Sequence, residues 1–135
     1  MRRALFAAAV VLLATACDNG PTEPTQTQSL AGTLARSAST TSSLSMRDTG
    51  NLRVTGVDFA QVAADGTVTE GGGITFGPGR TVNNECVITG AFGIVKGSVV
   101  SLGLNKGDYC LKLTEPTAVP EGASLRYEVR LEVTD

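Results

Sequence analysis

Leu125-Arg126-Tyr127-Glu128-Val129-Arg130-Leu131-Glu132-Val133 decides the fold class of this chain. Five apolar residues (Leu125, Tyr127, Val129, Leu131, Val133) alternate with four charged ones (Arg126, Glu128, Arg130, Glu132). Successive side chains of a strand point to opposite faces, so this period of two predicts a half-buried β-strand with one wet face. The charges alternate in sign, which suits cross-strand ion pairing and a soluble terminal edge. They read as a solvated face rather than a binding site. Pro120-Glu121-Gly122 is the turn that feeds the strand.

Working back from there, the chain from about Asn51 reads as further strands. Leu52 and Val54 share one face and Val57 and Phe59 the other, a phase switch that predicts a bulge near Gly56. Asp65-Gly66 predicts a hairpin turn into Val68. Gly71-Gly72-Gly73 precedes a short strand from Ile74 to Phe76, and Gly77-Pro78-Gly79 is read as turning the chain again. Cys86, Ile88, Phe92 and Ile94 share a parity, as do Val100, Leu102 and Leu104. Asn105-Lys106-Gly107-Asp108 is read as a hairpin turn with a positive φ at Gly107. Tyr109, Leu111 and Leu113 then face inward. No segment in 51–135 has a helical period. Short strands at intervals of about ten residues with glycine-rich turns predict an all-β fold: a small antiparallel β-sandwich of immunoglobulin-like architecture with about seven strands, or a small barrel. The likeness is architectural, because Trp and a Tyr-x-Cys motif are both absent.

Ahead of this domain, Asp18 to Ser29 holds almost no apolar residue and cannot bury enough surface to offset ordering. Leu30 and Leu34 hint at a helical turn, and Ser37 to Ser45 piles up hydroxyl side chains that compete with helix backbone bonds. Residues 17–50 are therefore expected to be a flexible tether, with Thr41 to Met46 as a conceivable edge strand. Thirty-three flexible residues would reach roughly 32 Å.

The first 17 residues carry a different message. Arg2 and Arg3 are followed by the uncharged run Ala4–Ala16, too short for a bilayer core that needs about 20 residues and suited to a signal peptide. Small residues Ala14-Thr15-Ala16 then precede Cys17. On these residues the start of the chain resembles the bacterial lipoprotein precursors, with Ala14 where leucine is usual. The resemblance covers residues 1–17 and implies a signal peptide over 1–16, cleavage before Cys17, and lipidation of Cys17. Each buried methylene of such a lipid contributes about 0.8 kcal/mol, so two or more chains anchor firmly. The implied location is a cell membrane or outer membrane, with the domain in the periplasm or at the cell surface. An ordinary signal peptide cut after Ala14-x-Ala16 is the competing reading.

Without its leader the chain keeps roughly 120 residues, one domain plus a tail. Arg2 and Arg3 leave with the leader, so 9 basic face 13 acidic residues. A mildly acidic chain with no basic cluster is a poor nucleic-acid partner. With Cys17 lipidated, Cys86 and Cys110 remain as a pair, which in an exported protein predicts a disulfide. Such a bridge constrains the unfolded chain by about 3–4 kcal/mol. Cys86 lies on an apolar parity and Cys110 on a polar one. Either a bulge near the 105–108 turn shifts the phase or the bridge sits on an outer face near a strand end.

Chemistry is thinly signalled. The chain has no His, the commonest catalytic base and zinc ligand. Lys96-Gly97-Ser98 reads as a strand connection rather than a Ser–Lys pair. Asp58, Asp65 and Glu70 lack the spacing of a calcium loop. Gly71–Gly73 opens no helix and so cradles no phosphate. No catalytic, cofactor or metal residue is assigned. The expected function is a non-enzymatic, lipid-anchored cell-envelope protein whose β-domain serves binding or structural interaction, with another envelope protein or a glycan as partner. The alternative is a small secreted or periplasmic inhibitor or accessory factor of an envelope enzyme, presenting the loop of Lys106 and Asp108 beside Cys110.

Overall fold

The computed structural model describes residues 26–135. Ten strands make it up: β1 (Gln26–Ala35), β2 (Ser39–Met46), β3 (Gly50–Val62), β4 (Val68–Glu70), β5 (Gly73–Val82), β6 (Glu85–Ile88), β7 (Phe92–Val95), β8 (Val99–Leu104), β9 (Gly107–Thr114) and β10 (Ser124–Thr134). All pair antiparallel, in two sheets. One sheet runs β1-β10-β3, and β8 and β4 share the far edge of β3. The other runs β2-β9-β5, and β6 and β7 share the far edge of β5. The inner faces meet in one core that includes Leu52, Val54, Phe59, Ile74, Phe76, Ile94, Leu111, Leu113 and Val129. The fold is thus a β-sandwich. The barrel alternative falls, because no ladder joins the two sheets among the described residues.

The segment that predicts the fold class behaves as its pattern requires. Leu125, Tyr127, Val129, Leu131 and Val133 are buried, and Arg126, Glu128 and Arg130 are exposed. Its place differs from expectation. β10 is an interior strand between β1 and β3, not an edge. The charges decorate the outer face of a sheet, where Arg130 meets Glu132 at 3.0 Å and Arg53 of β3 reaches the same carboxylate at 3.9 Å. Exposed pairs of this kind contribute about 0–1 kcal/mol, so burial of the apolar row holds the strand.

Residues 26–50 require the largest correction. They are not a tether: β1 and β2 are the outermost strands of the two sheets on one side, and Leu34, Leu44 and Met46 are buried in the core. Leu30 and Leu34 lie four apart, a spacing that shares a face in a helix and in a strand alike, so it could not separate the two. The edge strand expected over 41–46 is present as β2, Ser39–Met46. The domain therefore includes residues 26–50, ahead of the expected start at residue 51. Residues 1–25, with Cys17, lie outside the described residues.

Two expected turns are also corrected. Gly77-Pro78-Gly79 runs straight through β5. There β5 changes neighbours, from Phe92 opposite Phe76 to Ile88 opposite Gly79. Proline, lacking an N–H, is tolerated at such a break. Asn105–Asp108 is not a hairpin, because β8 pairs with β3 and β9 with β2 and β5. The chain crosses there from one sheet to the other, and Gly107 does take a positive φ, of 144°. The other turns hold as expected, with Gly66 at φ 89° and Gly122 at φ 79°.

The bulge near Gly56 is present. Glu128 of β10 faces Asp58 while Val129 faces Gly56, leaving Val57 as the extra residue. Its use was not legible in the sequence. The β7–β8 connection docks there through a reciprocal pair of backbone bonds: Gly97 N–H to Gly56 O and Gly56 N–H to Ser98 O, both 2.9 Å. A Cβ on Gly56 would run into the Val95 carbonyl oxygen.

Glu115 fixes the opposite end. It is the one buried charged side chain among the described residues. The Ala118 N–H donates to its two oxygens at 3.1 and 3.0 Å and the Ser37 N–H to one at 3.2 Å. The β1–β2 turn is so tied to the β9–β10 loop. Burial works to raise the Glu115 pKa, but the amides of Ala118, Ser37, Val119 and Thr117 outweigh it and hold the carboxyl below its ordinary range. A carboxylate with a lowered folded pKa stabilises above its unfolded value, and that stability is lost as pH falls through the folded value. Glu115→Gln is expected to cost about 1–3 kcal/mol at pH 7. The gap to the parent should begin to narrow below about pH 4.3, the unfolded value, and close once pH is below the folded one, read by urea denaturation at pH 7 and through the acid range.

Candidate functional site

A recess with an apolar floor lies where β1 and β2 flank the open side of the sandwich. β1 turns Gln26, Gln28, Leu30, Gly32 and Leu34 toward the interior, and β2 turns Thr40, Ser42, Leu44 and Met46. Half of these are small or polar where a closed core would hold large aliphatics, so the sheets stay parted along this side. Two adjoining cavities result. One, of about 400 Å³, is lined by Gln26, Thr27, Gln28, Leu44, Leu131 and Val133. The next, of about 260 Å³, runs past Ser29, Leu30, Thr40, Ser42, Leu113 and Tyr127. The floor is apolar and the rims are hydroxyl and amide. Gln26 Nε2 donates to the Ser45 carbonyl at 3.2 Å and ties the rims together at one end. Neither β1 nor β2 contains a charged residue.

The cysteine pair is a disulfide, with the Cα atoms 5.8 Å apart. Cys110 lies opposite Gly79 and Cys86 opposite Thr81, on the two strands that flank β5. Of the two alternatives raised by the parities, the outer-face one holds, and the phase shift lies in 89–91 rather than near the 105–108 turn. An extra residue in 89–91 shifts the phase between β6 and β7, and the bridge spans the outer face of the sheet near the strand ends. Gly79 brings no side chain beneath it.

The loop of Lys106 and Asp108 stands beside that bridge. Ser45 Oγ donates to Asp108 Oδ1 at 2.9 Å, and Arg80 Nη1 donates to the Asp108 carbonyl at 2.6 Å. The Arg80 guanidinium lies 4.0 Å from the Tyr109 ring centre, and the Tyr109 hydroxyl donates to the Asn105 carbonyl at 2.9 Å. Arg80 thus fills the split where β9 leaves β5, beyond Gly79. The arrangement braces a loop. It covers one face of Tyr109 and leaves the Asp108 carboxylate engaged.

The remaining candidates are structural. The Val95 N–H donates to Ser98 Oγ at 3.1 Å, so the Ser98 hydroxyl closes the Lys96–Ser98 connection. The Thr67 N–H donates to Asp65 Oδ1 at 2.9 Å, which caps the hairpin turn. No three His, Cys, Asp or Glu side chains gather as a metal site among the described residues, and no helix there is long and apolar enough to cross a membrane. The cleft between β1 and β2 was missed because residues 17–50 read as tether. The signal that could have found it is period two: Leu30, Gly32, Leu34 and Thr40, Ser42, Leu44, Met46.

Fold and site together define a small disulfide-bridged β-sandwich with one open side. No family model matches the chain, and no curated protein matches it. Among solved structures it is similar to the carbohydrate-binding module CBM36, solved in complex with calcium and xylotriose. The TM-score is 0.36 and the identity 16%, over 86% of this chain and 94% of that one.

Proposed function

We propose that this protein is exported, cut before Cys17, held on a membrane by lipid at that residue, and works there by binding rather than catalysis. The observation that carries the binding reading is the cleft between β1 and β2, with its apolar floor and uncharged hydroxyl rims. Such a surface has contacts to offer a partner, and its lining holds no carboxylate, lysine or histidine to activate the hydroxyls. The anchor rests on Leu13-Ala14-Thr15-Ala16-Cys17. Gln26 lies nine residues beyond Cys17, a span of about 30 Å at most. The sandwich is therefore held close to the bilayer, not at the end of a long stalk. Cys17→Ser is expected to move the protein from the membrane fraction to the soluble fraction, read by fractionation and immunoblot. Retention of the variant in membranes would overturn the anchor.

A second reading, an inhibitor or accessory factor, is favoured by the bracing of the 105–108 loop. Its test is the pair Lys106→Ala and Asp108→Ala. If both together leave partner binding unchanged, the loop is not the contact.

A further inference from the structure

We infer that the cleft between β1 and β2 receives an extended, uncharged polypeptide segment of a partner protein, added as a strand along one of the two edges. This rests on the reading of the sandwich as a binding module and names the surface and the chemistry of what it takes.

Three observations carry it. The first is the backbone. Among the described residues β1 pairs with β10 alone and β2 with β9 alone. Each leaves one side of its ladder without a strand over 10 and 8 residues, a template for strand addition. The second is charge. Edge strands are ordinarily guarded by lysine, proline or inward charges, and β1 and β2 carry none of these. The outer face of the neighbouring β10, by contrast, alternates Arg and Glu. On the side that faces the cleft a neutral segment meets no charge, while Arg126 and Glu128 beside β1 and Arg80 and Asp108 beside β2 lie on the outer faces. The third is the cleft itself. Leu44, Leu131 and Val133 floor one end, and Leu30, Leu113 and Tyr127 lie further along. In a strand laid along the edge every second side chain would point into this cleft. The occupant therefore carries apolar residues at alternate positions and small or hydroxyl residues between them.

One other occupant fits less well. Residues 18–25 of this chain contain Pro21, Pro24, Asp18 and Glu23, a composition unlike an uncharged segment with alternating apolar residues. A second copy pairing β1 against β1 antiparallel would place the two Gln26 ends about 34 Å apart along the shared strand. Nine-residue spans of about 30 Å let both ends reach one membrane, so a second copy is the competing occupant and the dimer arm of the test reports it.

The test uses the full chain purified in detergent and a library of ten-residue peptides. The peptides vary in charge and in the alternation of apolar and hydroxyl residues. We expect enrichment of uncharged, alternating peptides, with backbone amide shifts on binding confined to β1, β2 and the cleft. Thr27→Lys, on an exposed position, and Ser42→Lys, on the rim, should each weaken binding of the enriched peptides at least tenfold. Thr27→Lys should leave the melting temperature unchanged. Enrichment of charged peptides, or no loss in Thr27→Lys, overturns the proposal. Shifts centred on 105–108 also overturn it, yet leave the binding module standing. No enrichment of any peptide overturns it too, and membrane extraction of the parent chain then reports separately on the anchor. A concentration-dependent dimer abolished by Thr27→Lys assigns the edge to a second copy, again against the proposal.

Discussion

Deleting residues 18–46 is expected to abolish cooperative folding. The deletion removes one outer strand from each sheet and takes Leu34, Leu44 and Met46 out of the core. Burial of side chains of that size contributes about 1.5–3 kcal/mol each. Their loss also uncovers Tyr127, Leu131 and Val133 of β10 and Leu113 of β9, which β1 and β2 flank. The sum exceeds the lower part of the 5–15 kcal/mol that holds a typical domain together. A tether over the same residues would make the deletion neutral. Far-UV circular dichroism with urea titration separates the outcomes: no unfolding transition for a sandwich built on 26–135, an unchanged midpoint for a domain that starts at residue 51.

Gly56→Ala is expected to destabilise by about 3–5 kcal/mol. The added methyl would meet the Val95 carbonyl, and backbone cannot rotate aside as a side chain can. The β7–β8 connection must retreat, which breaks the reciprocal bonds of Gly56 with Gly97 and Ser98. Each backbone group left buried and unpaired costs about 1–3 kcal/mol. Gly93→Ala is the control. It lies in β7 with open space around its Cβ position, and its denaturation midpoint should match the parent. Equal midpoints for both variants would mean that the crossover does not rest on the bulge.

Much of the architecture was legible where burial is one-sided. Alternation over Leu125–Val133 announced a strand because a sheet with one wet face enforces period two. The phase switch at Leu52–Phe59 announced a bulge for the same reason. The cysteine pair announced a bridge, since two thiols remain once Cys17 is set aside. The failures have a shared physical cause. β1 and β2 line an open cleft, so their inner rows need no continuous aliphatic run. Thr40 and Ser42 stand where a closed core would require valine or leucine, and the pattern falls below notice. Gly77-Pro78-Gly79 has the composition of a turn. It serves instead as the point where β5 exchanges β7 for β6, a distinction that depends on strand order. The same holds for Asn105–Asp108: whether such a turn closes a hairpin or crosses between sheets is set by which strands pair, and local composition does not record that. The braced group of Arg80, Asp108 and Tyr109 joins residues 28 apart with no motif between them.

The site was the least legible part. Reasoning from residue types found what the chain lacks for catalysis, and it located the bridge. The cleft is a property of two strands set side by side by their partners β10 and β9, so it follows from topology rather than from any spacing in the sequence.

Residue-resolved hydrogen–deuterium exchange of the backbone amides tests the account most directly. Within an edge strand, amides that bond the inner neighbour are protected and those that face outward exchange freely. The sandwich with an open side predicts alternating protection along 26–35 and 39–46, beside continuous protection in β10 and in the part of β3 that lies between β10 and β8. Exchange at free-peptide rates throughout 26–46 would contradict it, returning those residues to a tether and removing the cleft with them.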